Sequence, residues 1–495
     1  MLSTPAASPH LIWPTRILFA MSLIAISPEE HCLLTARNEE LAGTPAASIA
    51  ARCSFTPAPG FRTLPTTTSS IKLASILSFA RSPETSFMSS SSELASLNLP
   101  LPPLVSAVLG QSLDAVDLLP SNEGRQSLVQ QLMKGYGLLD HAKMQLLAPR
   151  PASVDDLAKF HDRDYAVELL RPRNWKEHEN ELSQLQRTIL KRRATRESRD
   201  DRRAQAQAPC ASYGLVFDCP IFPHMDEYCS VVAGGSVQAA EFLINNPTVA
   251  INWGGGRHHA HKSHAAGFCY VNDAVLAILR LRRKYSRIMY IDFDLHHGDG
   301  VANAFKLSNN VLTVSVHRAD AGFFPGTGLK PVDGLGRGTG YEINIPTKKG
   351  LCDASLEWIV AHIVVPKIEG YRPQCLVIQC GADGLCTDTE FREWNLTISR
   401  FGTMVYQLVR RTGIPSLLLG GGGYNSLETC KLWCYITGLI LGEECQAWAQ
   451  LPDDLDDELV DFRELEFWTH DTPRNMAEQN THEYLLCLQS AILGC

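Results

Sequence analysis

The chain has 495 residues, 45% of them hydrophobic, enough to bury a large core in one α/β domain or in two to three smaller ones. A net charge of −8 and a pI near 6.1 exclude a protein held to nucleic acid mainly by phosphate attraction. Fifteen cysteines is an odd number, and several sit in apolar runs (Cys269, Cys375, Cys380), which reads as reduced, buried thiols of an intracellular protein. Cys430 and Cys434, one helical turn apart in an apolar segment, read as core packing rather than metal ligands.

In chain order, the first apolar stretch is ILFAMSLIAI, residues 17–26. It has the length of a signal-peptide core, but no small-residue cleavage site follows and it is too short to span a bilayer. No other segment reaches membrane-spanning length, so no membrane association is expected. Residues 33–97 are rich in Ser, Thr, Ala and Pro, and the whole of 1–98 is expected to lack fixed structure for the most part. From Leu104 the texture changes. Gly124 to Val129 opens a helix-like segment, and Ser153-Val154-Asp155-Asp156-Leu157 looks like a capped helix start. A charged insertion at about 171–208 carries eleven Lys/Arg against six Asp/Glu and reads as a solvated segment; its basic clusters are weak evidence for nuclear import. The acidic run between Asp453 and Glu466 reads as a solvated surface.

Between about 210 and 445, short β-rich runs alternate with helical ones. The runs are Thr248–Ile251, Arg287–Ile291, Val311–Val316, Cys375–Gln379 and Ser416–Leu419, with helices expected over Asn272–Arg283 and Thr397–Arg411. Apolar strands without alternation, interleaved with helices, predict an α/β fold with a mainly parallel sheet covered on both faces. Ligands of such sheets bind beyond the carboxyl ends of the strands. Here those ends carry His258-His259, the stretch DFDLHHGDG (292–300), His317, Asp383, and Gly420 to Gly423 followed by Tyr424. One site built from several loops is the economical expectation.

Residues two apart in a strand share a side, so Asp292, Asp294 and His296 can face one way while Phe293 and Leu295 pack the other. Asp294 and His296 supply a carboxylate and an imidazole suited to a divalent ion such as zinc, and Asp383 can supply a third ligand. Three protein ligands leave a position open for water, as catalysis requires. The bland alternative is a buried Asp/His hydrogen-bond network, which is costly because clustered carboxylates raise one another's pKa. Tandem histidines at a strand end suit proton transfer, each oriented by a carboxylate, and Asp292 and Asp299 remain to serve them. The glycines before Tyr424 lack the Lys-Ser/Thr of a phosphate cradle and more plausibly let its phenol donate to an oxyanion.

The stretches GRHHAHKSHAAGFCYVNDAVL (256–276), YIDFDLHHGDGVANAF (290–305), TVSVHRADAGFFPGTG (313–328), IQCGAD (378–383) and LLLGGGGYN (417–425), together with YGLVFDCP (213–220), resemble the class I zinc-dependent histone deacetylases. The resemblance covers residues from about 99 to the C-terminus, less the charged insertion. It implies a single arginase/deacetylase-like catalytic domain and hydrolysis of acetyl-lysine in histones or other proteins, releasing acetate. Asp294, His296 and Asp383 match the zinc ligands, a role ferrous iron also fills. His258 and His259 match the tandem histidines, with Asp292 and Asp299 as partners, and Tyr424 the tyrosine that polarises the acetyl carbonyl. Phe268, Phe324 and Gly267 match the substrate channel, Asp218 the rim carboxylate, and Arg125 the arginine of an internal acetate channel. Secondary K+ or Na+ sites are implied at Asp292, Asp294, His296, Ser315 and Val316, and at Phe305, Ser308, Val311 and Tyr341. Acetylated histone tails and a corepressor complex are the implied partners, and the nucleus, with the cytoplasm, the implied location. Acetylpolyamine or longer-acyl hydrolysis and a non-catalytic corepressor scaffold are the competing functions. Departures from the family pattern lie in Gly384 to Thr387, in Glu390 at the rim, and in Arg257, where relatives often carry a bulky apolar residue. Arg257, LLPSNEGR and the short acidic tail look closest to the histone deacetylase eight subgroup and its fungal relatives. Residues 21–30 resemble the family's first edge strand, which would make the Ser/Thr/Pro-rich block an interruption of the domain.

Overall fold

The computed structural model describes residues 105–108, 116–122, 124–173, 209–453, 455 and 466–494. The expectations for 1–98, for an edge strand at 21–30, for nearly all of the charged insertion and for most of the acidic run lie outside the described residues.

A nine-stranded sheet organises the fold, in the order β2-β1-β3-β9-β8-β4-β5-β7-β6. The strands are β1 (Val105–Val108), β2 (Met144–Leu147), β3 (Val249–Asn252), β4 (Ile288–Asp292), β5 (Val311–Arg318), β6 (Val332–Asp333), β7 (Glu342–Thr347), β8 (Cys375–Gln379) and β9 (Ser416–Leu419). Every pairing is parallel except β6 against β7. The five strands expected from sequence are all present and form the centre of the sheet.

Their unbroken apolar runs follow from burial on both faces. On one face Ile288, Tyr290, Val377, Leu417 and Leu419 meet Ala239, Ala240 and Leu243 of helix Met225–Asn245 and Val275 and Ile278 of helix Asp273–Leu281. On the other, Met289, Ile291, Leu376, Ile378 and Leu418 meet helices Arg125–Gly135, Ile398–Thr412 and Ser426–Leu441. Period-two alternation thus persists, but both sides of it are apolar. Cys430 and Cys434 are fully buried in the second layer, as core packing requires.

Helix starts obey local chemistry. Ser153 caps Val154–Leu157 in a reciprocal box with Asp156, Asn272 accepts the Val275 N–H, and Thr397 accepts the Arg400 N–H. These caps fix where each helix leaves the sheet. The loops that carry titratable side chains into one pocket follow the carboxyl ends of β3, β4 and β9, and the loop after β8 brings Asp383 against Asp294 and His296.

Candidate metal centre and catalytic pocket

The ladder of β4 ends at Asp292, which stands in register with Ser315 of β5 and Gln379 of β8. Strand geometry therefore does not extend to His296 as the sequence suggested. The side-chain alternation nevertheless continues, because Phe293 and Leu295 are pulled into the core while Asp294 and His296 turn into the pocket.

His296 Nδ1 lies 2.9 Å from Asp383 Oδ2 and 3.3 Å from Asp294 Oδ1. One ligand atom from each of the three residues falls within 4.8 Å of the others, and among the described residues no other His/Cys/Asp/Glu set does so. The carboxylates are held from behind. Asp294 Oδ2 accepts from Gln379 Nε2 at 2.7 Å and the Gly422 N–H at 2.8 Å, and Asp383 Oδ1 accepts the Leu295 N–H at 2.9 Å. All three residues are at most 4% exposed.

Electrostatics tests whether this set suits a cation. Burial and the Asp294 charge push Asp383 up. Against burial, the His258 and His296 charges hold Asp294 far down, and the two carboxylates raise His296 to about 9. The group balances its charge only by binding protons, at the atoms a divalent ion would occupy. Two carboxylates and one imidazole, all buried, therefore suit zinc or a similar ion.

The tandem histidines arrive from β3 through Trp253 to Gly256. Gly256 has φ +84°, and a Cβ there would meet the Gly420 carbonyl at 2.3 Å, so only glycine lets the two loops touch. Asp273 clamps the loop, accepting the Gly256 and Arg257 N–H groups at 2.9 and 2.8 Å. His258 Nδ1 lies 2.8 Å from Asp292 Oδ2 and His259 Nδ1 lies 2.8 Å from Asp299 Oδ1. Asp292 and Asp299, the two carboxylates expected to serve the pair, thus stand one against each histidine. Their environments diverge: against burial, Asp292 and Asp294 raise His258 to about 10, whereas burial and the His258 charge lower His259 to about 4.

Tyr424 closes the same cavity, its N–H donated to Asp388 Oδ2 at 2.8 Å. Burial, then the Asp383 and Asp294 charges, push its phenol well above 10, so it remains a proton donor. At the mouth, Phe324 stands edge-on to His259 (4.9 Å between centroids) and Phe268 to Tyr424 (5.8 Å). Asp218, exposed beside them, accepts the Gly267 N–H at 2.8 Å. Arg125 lies behind the pocket, bonded to the Gly423 and Gly421 carbonyls and lying over the Trp433 ring.

Of the residues tied to monovalent cations, Ser315 and Val316 are buried on β5 beside Asp292. Phe305, Ser308, Val311 and Tyr341 gather at the amino end of β5, where the Phe305 carbonyl accepts the Ser308 N–H and the Tyr341 carbonyl the Thr313 N–H.

Sequence reasoning missed several residues. Phe391 stands edge-on to both His296 (4.4 Å) and Tyr424 (5.2 Å), one position beyond the rim departure at Glu390. Gln379, Asp388 and Asp273 orient the loops. His161 fixes Asn272, accepting its N–H at 3.0 Å. A polar side chain at the end of an apolar run was the available signal for Gln379; the others act across long sequence separations.

A parallel sheet with this set at its carboxyl end is an α/β fold of the arginase/deacetylase kind, and residues 119–440 match the histone deacetylase domain. The chain belongs to the histone deacetylase family. It is 37% identical over 369 residues to "Histone deacetylase HDAC1" of Drosophila melanogaster, covering 74% of this chain and 64% of that protein. It is 36% identical over 370 residues to "Histone deacetylase 1" of Homo sapiens, covering 74% of this chain and 69% of that one. "Probable histone deacetylase 1-A" of Xenopus laevis matches to the same extent.

Proposed function

We propose that this chain hydrolyses N6-acetyl-lysine in histones or other proteins, with Asp294, His296 and Asp383 holding zinc, or ferrous iron in its place. The observation that carries the proposal is that Asp294 and His296 line one cavity with His258, His259 and Tyr424, while Asp383 lies close enough to share an ion with them. When bound, the divalent ion supplies Lewis-acid polarisation of the amide carbonyl and of water.

The chain's own groups do the rest. Phe268 and Phe324 receive the neutral methylene stem between apolar surfaces, and Asp218 holds substrate backbone at the rim. His259 donates its Nδ1–H to Asp299, which leaves Nε2 free to take the proton of the attacking water and return it to the lysine nitrogen. His258, charged beside Asp292, stabilises the negative charge that develops. Tyr424 donates its phenol to the carbonyl oxygen as it becomes an oxyanion. Arg125 sits where it can receive departing acetate.

Finer assignments belong to the same proposal. Asp292, Asp294, His296, Ser315 and Val316 form one K+ or Na+ site, and Phe305, Ser308, Val311 and Tyr341 a second that braces β5. The catalytic domain runs from about 99 to 495, with 171–208 inserted in it. Acetylated histone tails, a corepressor complex and nuclear residence, with a cytoplasmic share, follow from the substrate class, and the histone deacetylase eight subgroup is the placement within class I. Turnover of acetyl-lysine peptides beside acetylpolyamines tests the substrate class. Preference for the polyamine, or full activity of Tyr424→Phe, would refute the proposal.

A further inference from the structure

Behind the catalytic residues the cavity reaches a polar wall where Arg257, which the deacetylation mechanism above does not use, stands beside Arg125. Arg257 is 5% exposed and Arg125 3% exposed. Arg125 spends its terminal nitrogens on the Gly423 and Gly421 carbonyls at 2.8 and 2.9 Å, and Arg257 spends one on the Gly254 carbonyl at 3.2 Å. With its amide oxygen turned toward them, Asn122 accepts from Arg125 at 3.1 Å and from Arg257 at 3.3 Å. Two cations thus share one neutral acceptor.

The nearby counter-charge, Asp273, does not pair with either guanidinium. Among the described residues neither guanidinium forms an ion pair. Asp273 gives its oxygens to the Gly256 and Arg257 N–H groups and the Ser236 hydroxyl instead. Arg257 Nε and the Tyr228 hydroxyl are both buried without a partner, and the two groups lie within electrostatic reach of each other. Buried like charges and orphaned donors are relieved together by one anion with two acceptor oxygens, and a planar carboxylate matches the guanidinium fork.

Arg257 lines the same cavity as His258, Asp294 and Tyr424, whereas Phe324 at the mouth is 43% exposed. A lysine stem entering past Phe324 therefore directs the far end of its acyl group toward Arg257. We propose that Arg257 makes this cavity a receptor for a carboxylate at the end of the acyl chain, so that acyl-lysines of the malonyl and succinyl class are substrates beside acetyl-lysine. This rests on the acyl-lysine hydrolase assignment above. Hydrolysis adds water across the same amide bond, releasing the lysine amine and a dicarboxylate.

The test is kcat/KM on one peptide sequence carrying acetyl-, propionyl-, malonyl-, butyryl- or succinyl-lysine. Malonyl over propionyl, or succinyl over butyryl, is expected to be favoured by about tenfold or more, since each pair has equal carbon number and differs in the carboxylate. Arg257→Met is expected to lower that ratio by about tenfold, with Arg257→Lys retaining part of it. Wild-type ratios below one, or a ratio untouched by Arg257→Met, would overturn the proposal. If Arg257→Met fails to fold, the wild-type ratios alone decide. Acetyl-lysine turnover with no diacid preference sinks only this inference; no turnover of any acyl peptide sinks the hydrolase assignment as well.

Discussion

Gly267→Ala tests how tightly the pocket is built. Gly267 has φ +54°, and a Cβ there would lie 2.5 Å from His259 Cδ2 and 2.9 Å from Phe324 Cε1. Ordinary carbon contacts fall at about 3.5–4.0 Å, so the imidazole must retreat by about 1 Å. A catalytic group displaced that far loses about 100-fold in rate, equivalent to about 2.7 kcal/mol in the barrier. The left-handed backbone adds a separate stability cost of roughly 1–2 kcal/mol. Gly137 separates the two effects: it has φ +70°, and a Cβ there would meet nothing within 4 Å, so Gly137→Ala carries the backbone cost alone. The assays are kcat/KM on an acetyl-lysine peptide and urea denaturation. Gly267→Ala is expected to lose at least as much stability as Gly137→Ala, and only Gly267→Ala to lose activity. A folded Gly267→Ala variant as active as wild type would refute the claim that His259 is confined by this contact.

Other expectations follow from the same geometry. Asp299→Asn removes the negative charge facing His259 Nδ1 at 2.8 Å, and the amide can turn a donor toward the ring, which would favour the other tautomer. Activity is expected to fall by about 10²–10⁴-fold with the fold retained, and wild-type kcat would contradict the proton-transfer role of His259. His161 sets an acid limit. Burial lowers it from 6.5 to about 4, and its Nε2 must stay unprotonated to accept the Asn272 N–H. Because the folded value is the lower one, the unfolded chain binds the extra proton. The contribution is complete above about pH 6.5 and lost as pH falls toward 4, about 3 kcal/mol in all. Urea midpoints of wild type and His161→Gln between pH 4 and 7.5 measure it, and identical pH slopes would refute it. Asp383→Ala removes one of the three proposed metal ligands and is expected to abolish turnover and divalent-ion retention together; retention of the ion would place the centre elsewhere.

How much of this was legible in the sequence depended on the range of the forces involved. The five central strands were readable because burial on both faces leaves unbroken apolar runs, such as Ile288 to Ile291. The outer strands β1, β2, β6 and β7 were not. β2 is half-exposed, and β6 is two residues long and defined only by its pairing with β7. Helix Ser426–Leu441 is buried on all sides, so it lacks the amphipathic period that betrays a surface helix. The Asp294/His296/Asp383 cluster and the tandem histidines were visible because they lie in contiguous motifs at strand ends. Phe391 and Asp388 were invisible because a loop's path, not local pattern, brings them to Tyr424. Arg257 was noticed only as a departure, and its unpaired burial beside Arg125 emerges from contacts across more than 100 residues.

The most direct measurement is the divalent-metal content of purified protein, taken with its rate on an acetyl-lysine peptide before and after chelation. The structure predicts one ion per chain, loss of turnover on its removal, and recovery when zinc is returned. Full turnover by metal-stripped protein would contradict the account at its base.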